Sequence, residues 1–343
     1  MPGTIFLTWT DHRRSRNLAP AFGADYVCLE SRAPYAVRLI ILAFRTMGVL
    51  LWRRPSTVIC QNPSLALTTL CCLLKRVLSY TLLVDRHSNF KLDSLGSRQP
   101  KFWVFHKLSK WSVRKADATI VTNEPLRELV DSWGGRGYVL PDKMPVFDGA
   151  SPRFSAEMDR RVVVFVASFD TDEPLREFLD ACRALKNDIR VYVTGNYRRA
   201  GVVPPVGEEW VCFTGFLTEK EYVGLLARAD LIAVLTTEEN LLNCGSYEAV
   251  ALGKPMLLSA SEAIRAYFSE GAVYVDNTRE GIRAALHEFR SGEDELRAGV
   301  VRLRERLLRD WDARYAAVFA STLGGHVHVC PLGSGAGAAH DER

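Results

Sequence analysis

None of the eight cysteines pairs with another at the two-residue spacing of a zinc knuckle. Cys28, Cys60, Cys71, Cys72, Cys182, Cys212, Cys244 and Cys330 are scattered, several inside apolar runs. That pattern argues against a disulfide framework and reads as reduced core thiols of a cytosolic protein. The chain also lacks a clean apolar stretch of the roughly 20 residues that a membrane span needs. Its two most apolar segments, VRLIILAFRTMGVLLW (37–52) and LALTTLCCLLKRVLSYTLLV (65–84), are split by Arg45 and by Lys75 with Arg76. Both are expected as buried or interfacial helices. The first apolar run, TIFLTW, is short and leads into DHRRSR, which is not the layout of a secretory signal. No Gly-x-Gly-x-x-Gly follows that run, which argues against an NAD dehydrogenase. The late GSGAG follows no βαβ unit and starts no helix, so it is not a nucleotide loop.

What is present is a globular composition, 48% apolar and 24% charged over 343 residues, enough for two domains of about 150. The net charge of +4 is unevenly spread. Residues 1–150 carry 21 Lys and Arg against 11 Asp and Glu, a net +10, and the rest carry 23 against 29, a net −6. A basic amino-terminal half points to an anionic partner there. Short β-branched runs (TIFLTW, TVIC, TLLVD, ATIVT) alternate with helical stretches. The alternation then restarts with VVVFVAS, IRVYVTG, WVCFTG, LIAVLTT, PMLLSA and AVYVD. This predicts two parallel sheets covered by helices on both faces, two doubly wound Rossmann-like α/β domains facing across a cleft. The boundaries expected are an acceptor-binding domain over 1–145, a Pro-rich linker over 146–159 and a donor-binding domain over 160–308. A helix over 309–323 is expected to return to the first domain, followed by a small, polar, disordered tail over 324–343.

In doubly wound sheets, ligands sit beyond the carboxyl ends of the strands. The stretch NCGSYEA follows the run LIAVLTT and opens a helix. Unpaired backbone N–H groups at Asn243, Cys244, Gly245, Ser246 and Tyr247 would favour a phosphate, and Glu248 one turn in can accept ribose hydroxyls. The competing reading is a core helix capped by Asn243 or Ser246. Ser168 and Phe169 follow one strand, and Gly195, Asn196 and Arg198 follow the next, all placed to approach the nucleotide or to be plain loop. DTD at 170–172 has the look of a metal-binding acid pair, but Asp170 or Thr171 capping the helix of EPLREFLDACRAL accounts for it, so no metal is expected.

The segment FTGFLTEKEYVGLLARADLIAVLTTEENLLNCGSYEAVALGKPMLLS resembles the donor half of GT-B glycosyltransferases of the family-4-like group. There a Glu-bearing "YEA-x-A-x-GkP" helix holds the nucleotide, and Glu248 matches the ribose acid. The first acid of the pair falls on Asn240, and ASFDTDEPLREFL stands where the group has its Arg and Lys. QNPS (61–64), DRHSNF (85–90), VLPDKMPVF (139–147) and SFDTDEPL (168–175) fall in the order seen in the dolichol-linked β-mannosyltransferase group and its bacterial relatives. The resemblance covers about residues 4 to 320. It implies a GT-B fold and a hexosyltransferase of polysaccharide biosynthesis that uses a nucleotide-diphosphate sugar and a glycan or lipid-linked acceptor, with no cofactor. It also implies His87 or Asp85 as base if the reaction inverts; the family-4 likeness implies retention.

Two further features fit that expectation. Arg13, Arg14 and Arg16, with Ser15 among them, follow the first strand and could neutralise the leaving diphosphate. KFWVFHKLSKWSVRKAD interleaves aromatic and basic residues. Together 37–54 and 101–115 are expected on an anionic membrane surface, at the inner face, rather than on nucleic acid. Two other classes stay open: a GT-B enzyme that hydrolyses or epimerises nucleotide sugars, and a non-catalytic scaffold.

Overall fold

The structure is a computed structural model that describes residues 3–62, 64–87, 91–147 and 160–322. The expected tail, Cys330, residues 88–90 of DRHSNF and most of the expected linker lie outside the described residues.

The first unit runs β1 (Thr4–Thr8), α1 (Arg13–Ala21), β2 (Ala24–Cys28), α2 (Tyr35–Arg53), β3 (Thr57–Asn62), α3 (Leu65–Leu78) and β4 (Thr81–Arg86). It continues with α4 (Pro100–Lys115), β5 (Ala118–Val121), α5 (Glu124–Ser132) and β6 (Gly137–Val139). The second runs β7 (Arg161–Phe165), α6 (Leu175–Arg183), β8 (Ile189–Thr194), β9 (Val211–Gly215), α7 (Glu219–Arg228) and β10 (Leu231–Val234). It closes with α8 (Cys244–Ala251), β11 (Met256–Ser259), α9 (Glu262–Tyr267), β12 (Ala272–Val275) and α10 (Arg279–Thr322), which kinks at Gly292.

The sheets order as β2-β1-β3-β4-β5-β6 and β12-β11-β10-β7-β8-β9, with each neighbouring pair parallel. The expected architecture is thus found. Central strands such as β3 and β10 are buried along their whole length, because helices cover both faces of a parallel sheet. The order of strand addition reverses between β1 and β3 in one sheet and between β7 and β10 in the other. Those reversals open crevices at the strand ends, where the loops after β1, β4, β7 and β10 meet.

Two local expectations need correction and a third is narrowed. Strands β2 and β6 are additional to the runs read from the sequence. Helix α6 begins at Leu175, and neither Asp170 nor Thr171 caps it: Pro174 stands at the cap, with no side-chain cap bond. Of the buried and interfacial alternatives for 37–52, full burial is ruled out for α2. It buries Leu42, Thr46 and Leu50, four residues apart, and leaves Ile40 58%, Phe44 64% and Trp52 83% exposed.

The end of α10 lies in the first unit's core. Trp311 and Val318 are buried with Phe6, Leu18, Phe22 and Ile59. The Trp311 indole N–H donates to the Pro141 carbonyl at 3.1 Å, and the Tyr315 hydroxyl donates to that of Ala21 at 2.6 Å.

Candidate active site

Helix α8 follows the loop over 235–243 that leaves β10, and its amino terminus faces the first unit. Gly245 lets it lie against the sheet: a Cβ there would come within 3.0 Å of Val166 and 3.1 Å of Val234. Asn243 occupies the cap position, yet its side chain takes no bond from the helix, and its buried Oδ1 has no hydrogen-bond partner among the described residues. The capped-helix reading through Asn243 therefore fails; the Cys244 and Gly245 amides of the first turn are available to an anion. Ser246 is buried and its N–H bonds back to the Asn243 carbonyl at 3.1 Å. Tyr247 is buried against Tyr267 and Phe268. The Cys244 thiol faces Asp142 Oδ2 at 3.4 Å, and burial pushes its pKa up, with Asp142 adding to the effect.

Glu248 is 3% exposed. Its Oε1 accepts from Arg13 Nη1 at 2.6 Å, across the cleft, and its Oε2 accepts from the Tyr222 hydroxyl. Burial raises its pKa above the usual carboxylate range, while Arg13 and the Tyr222 hydrogen bond work against that rise. Arg13 also reaches Glu219 at 3.2 Å and lies 5.4 Å from the centre of the Phe147 ring. Beside this contact a cavity of about 410 Å³ is lined by Arg13, Arg16, Phe216, Leu217, Glu219 and Tyr222, among others.

The basic loop divides by position. Arg13 faces the cleft. Arg14 is buried: its Nε and Nη2 donate to Asp85 at 3.0 and 2.8 Å, Nη2 also donates to the Leu140 carbonyl, and Nη1 donates to Asp142. Two carboxylates already neutralise it, so it is not the diphosphate cation the sequence allowed. Ser15 is buried, and Arg16 pairs with Asp11 on the surface.

The same cluster bears on Asp85, one of the two expected bases. Asp85 is fully buried, and Arg14 holds its carboxyl far below the usual range against a large desolvation cost. A carboxylate so stabilised takes up no proton near neutral pH, which corrects its assignment as base. His87 lies 3.4 Å from Asp85 and stacks on His12 with ring centroids 4.6 Å apart. His12 was missed in the sequence, although it opens the basic motif. It caps α1 by accepting from the Arg14 N–H at 3.3 Å, and burial, then the charge of His87, lowers its pKa.

The remaining expected donor contacts serve the loop itself. The Ser168 and Phe169 N–H groups both donate to Glu173, at 2.8 and 2.9 Å, and the Ser168 hydroxyl does so at 2.6 Å. Gly195 is required by packing: its φ is +91° and a Cβ would meet the Ala167 carbonyl oxygen at 2.2 Å. Asn196 Oδ1 accepts from the Arg199 N–H, and Arg198 stacks on Tyr197. Asp172 takes the Thr236 hydroxyl.

Two parallel α/β units facing one cleft, with a helix amino terminus and its acid opening onto it, form the GT-B fold that the sequence led us to expect. Residues 170–320 match the family model described as "Glycosyl transferase-like". No curated protein matches the chain. Among solved structures, sucrose-phosphate synthase from Thermosynechococcus elongatus is similar at TM-score 0.67 and 16% identity, covering 92% of this chain and 86% of that one. Anabaena HepE, solved with UDP-glucose, is similar at TM-score 0.66 and 12% identity, covering 93% and 99%. A glycosyltransferase from Rickettsia africae ESF-5 gives 0.66, 9%, 94% and 99%. At such identities the structural likeness speaks for the fold, and the narrower likeness to β-mannosyltransferases is not among these matches.

Proposed function

We propose that this chain moves a sugar from a nucleotide-diphosphate sugar, with UDP as the first candidate nucleotide, to a lipid-linked or other membrane-proximal glycan acceptor. The observation that carries the donor half is the open amino terminus of α8 with Glu248 one turn inside it. HepE supports UDP as the nucleotide, since it is solved with UDP and with UDP-glucose on a similar fold. Ribose hydroxyls donate to Glu248, the amides at 243–245 take the diphosphate, and Arg13 supplies a cation from across the cleft. Charge on the leaving group is thereby met without a metal ion.

His87 is the residue left to orient or deprotonate the acceptor hydroxyl. Asp85 Oδ2 lies 3.4 Å from its Nδ1, and an imidazole can exchange a proton near neutral pH. Support for the acceptor's setting comes from α2. By length and composition alone it is long and apolar enough to cross a membrane, yet here it lies along the sheet with its outer face exposed. On α4, Trp103 is 60% exposed, and Lys107 lies 4.3 Å from its ring centre. Apolar side chains beside cations suit an anionic lipid surface.

A thermal-shift panel of UDP, GDP, dTDP and their sugars, with and without Mg²⁺, tests the donor seat. At 100 times its dissociation constant a ligand stabilises by about 2.7 kcal/mol. The expected result is a metal-independent shift by UDP in the wild type that Glu248→Ala abolishes. An unchanged shift in Glu248→Ala refutes this seat.

A further inference from the structure

Glu248 is engaged from both sides of the cleft, and its two partners differ in kind. Tyr222 is on the same unit, one helix away, and its hydroxyl is buried with the acid. Arg13 comes from the other unit, its side chain is 30% exposed, and it borders the 410 Å³ cavity. It holds a second, weaker partner in Glu219, which is 70% exposed. A ribose that uses Glu248 must approach Oε1, the oxygen that Arg13 holds at 2.6 Å. Tyr222 is the fixed partner and Arg13 the removable one.

We infer that donor binding works by exchange at Glu248: the ribose hydroxyls replace the Arg13 guanidinium on Oε1, and the freed Arg13 moves onto the donor's diphosphate. This rests on the donor seat proposed above and adds to it the coupling between two subsites. The exchange leaves no buried charge bare. Glu248 keeps the Tyr222 hydrogen bond and gains hydroxyl donors, while Arg13 trades one anion for another of higher charge. Glu219 gives Arg13 a carboxylate at the surface during the transfer. A nucleoside without phosphates must break the Arg13–Glu248 pair and offers Arg13 nothing in return, so the site selects for nucleoside diphosphates over nucleosides.

Calorimetric titration of UDP and of uridine into wild type, Arg13→Gln and Arg13→Lys separates the possibilities. Exchange predicts that Arg13→Gln weakens UDP at least tenfold while uridine binds as tightly as before or more tightly, because its competitor is gone. Arg13→Lys should recover most of the UDP affinity. Equal losses for both ligands would make Arg13 a fixed latch and overturn the exchange, as would an unchanged UDP affinity. A wild type that does not bind UDP overturns the donor seat and the exchange with it.

Discussion

Replacing Arg14 by methionine removes a cation that is 1% exposed at its side chain and leaves Asp85, Asp142 and the Leu140 carbonyl facing an apolar chain. Breaking a buried ion pair from one side costs about 3–5 kcal/mol. Its sign with pH is the sharper test. In the wild type Arg14 holds the Asp85 pKa far below the unfolded value. The pair's contribution is therefore complete above about pH 4 and is lost as pH falls further, through the folded value. Without Arg14, burial dominates and Asp85 titrates above its unfolded value, so the variant gains stability as pH falls from 7 toward 4. Each unit of that rise is worth about 1.4 kcal/mol. Urea unfolding followed by tryptophan fluorescence from pH 7.5 to 4.5 should show the deficit of Arg14→Met shrinking as the solution is acidified. Adding Asp85→Asn should flatten the difference curve. A deficit that stays constant across this range, or stays below about 1 kcal/mol, would refute the view that Arg14 is held by Asp85.

Two other expectations are independent of that cluster. Tyr222→Phe deletes a hydrogen bond that lowers the Glu248 pKa. UDP affinity should then fall away at a higher pH than in the wild type when Kd is measured from pH 8 to 5, and superimposable profiles would exclude Tyr222 as the positioning residue. Ile40→Glu with Phe44→Glu removes two apolar side chains, each worth about 1.5–3 kcal/mol when fully buried, so sedimentation with phosphatidylglycerol vesicles should drop at least about tenfold. The thermal shift by UDP should be unchanged in that variant, and equal sedimentation of both proteins would remove α2 as a membrane face.

The alternation of strands and helices was readable because central strands of a parallel sheet are apolar on both faces. The two strands that were not read, ADYVC and GYV, are the two edges of the first sheet. An edge strand is less enclosed, so Asp25 is tolerated in β2, and β6 is only three residues long. The α8 seat was legible for a related reason: its Gly, its small polar residues and Glu248 lie within one turn of each other. What could not be read is contact between distant loops. Arg13 and Glu248 are 235 positions apart, and Arg14 and Asp142 are 128 apart. Three arginines in one motif looked alike in sequence. A helical turn of about 100° per residue sends the side chains of Arg13 and Arg14 in different directions, one to the cleft and one to the core.

The two ends of the interface between the units are built from different forces. At the cleft, the contacts include Arg13 with Glu248 and Glu219, Cys244 with Asp142, and the Asn123 amide donating to the Asn240 carbonyl at 3.0 Å. Each is polar, and a ligand's hydroxyls or phosphates can replace it at little net cost, since hydrogen bonds exchange partners. At the far side, α10 sets Trp311, Tyr315 and Val318 into the first unit's core, with the Trp311 and Tyr315 rings stacked 5.2 Å apart. No ligand or water substitutes for that burial, and losing one such aromatic costs about 3–5 kcal/mol. Separation of the two units is therefore easiest along the cleft and hardest at α10. A donor entering beside α8 meets the exchangeable contacts first, while the helix that joins the units keeps their two half-sites in register.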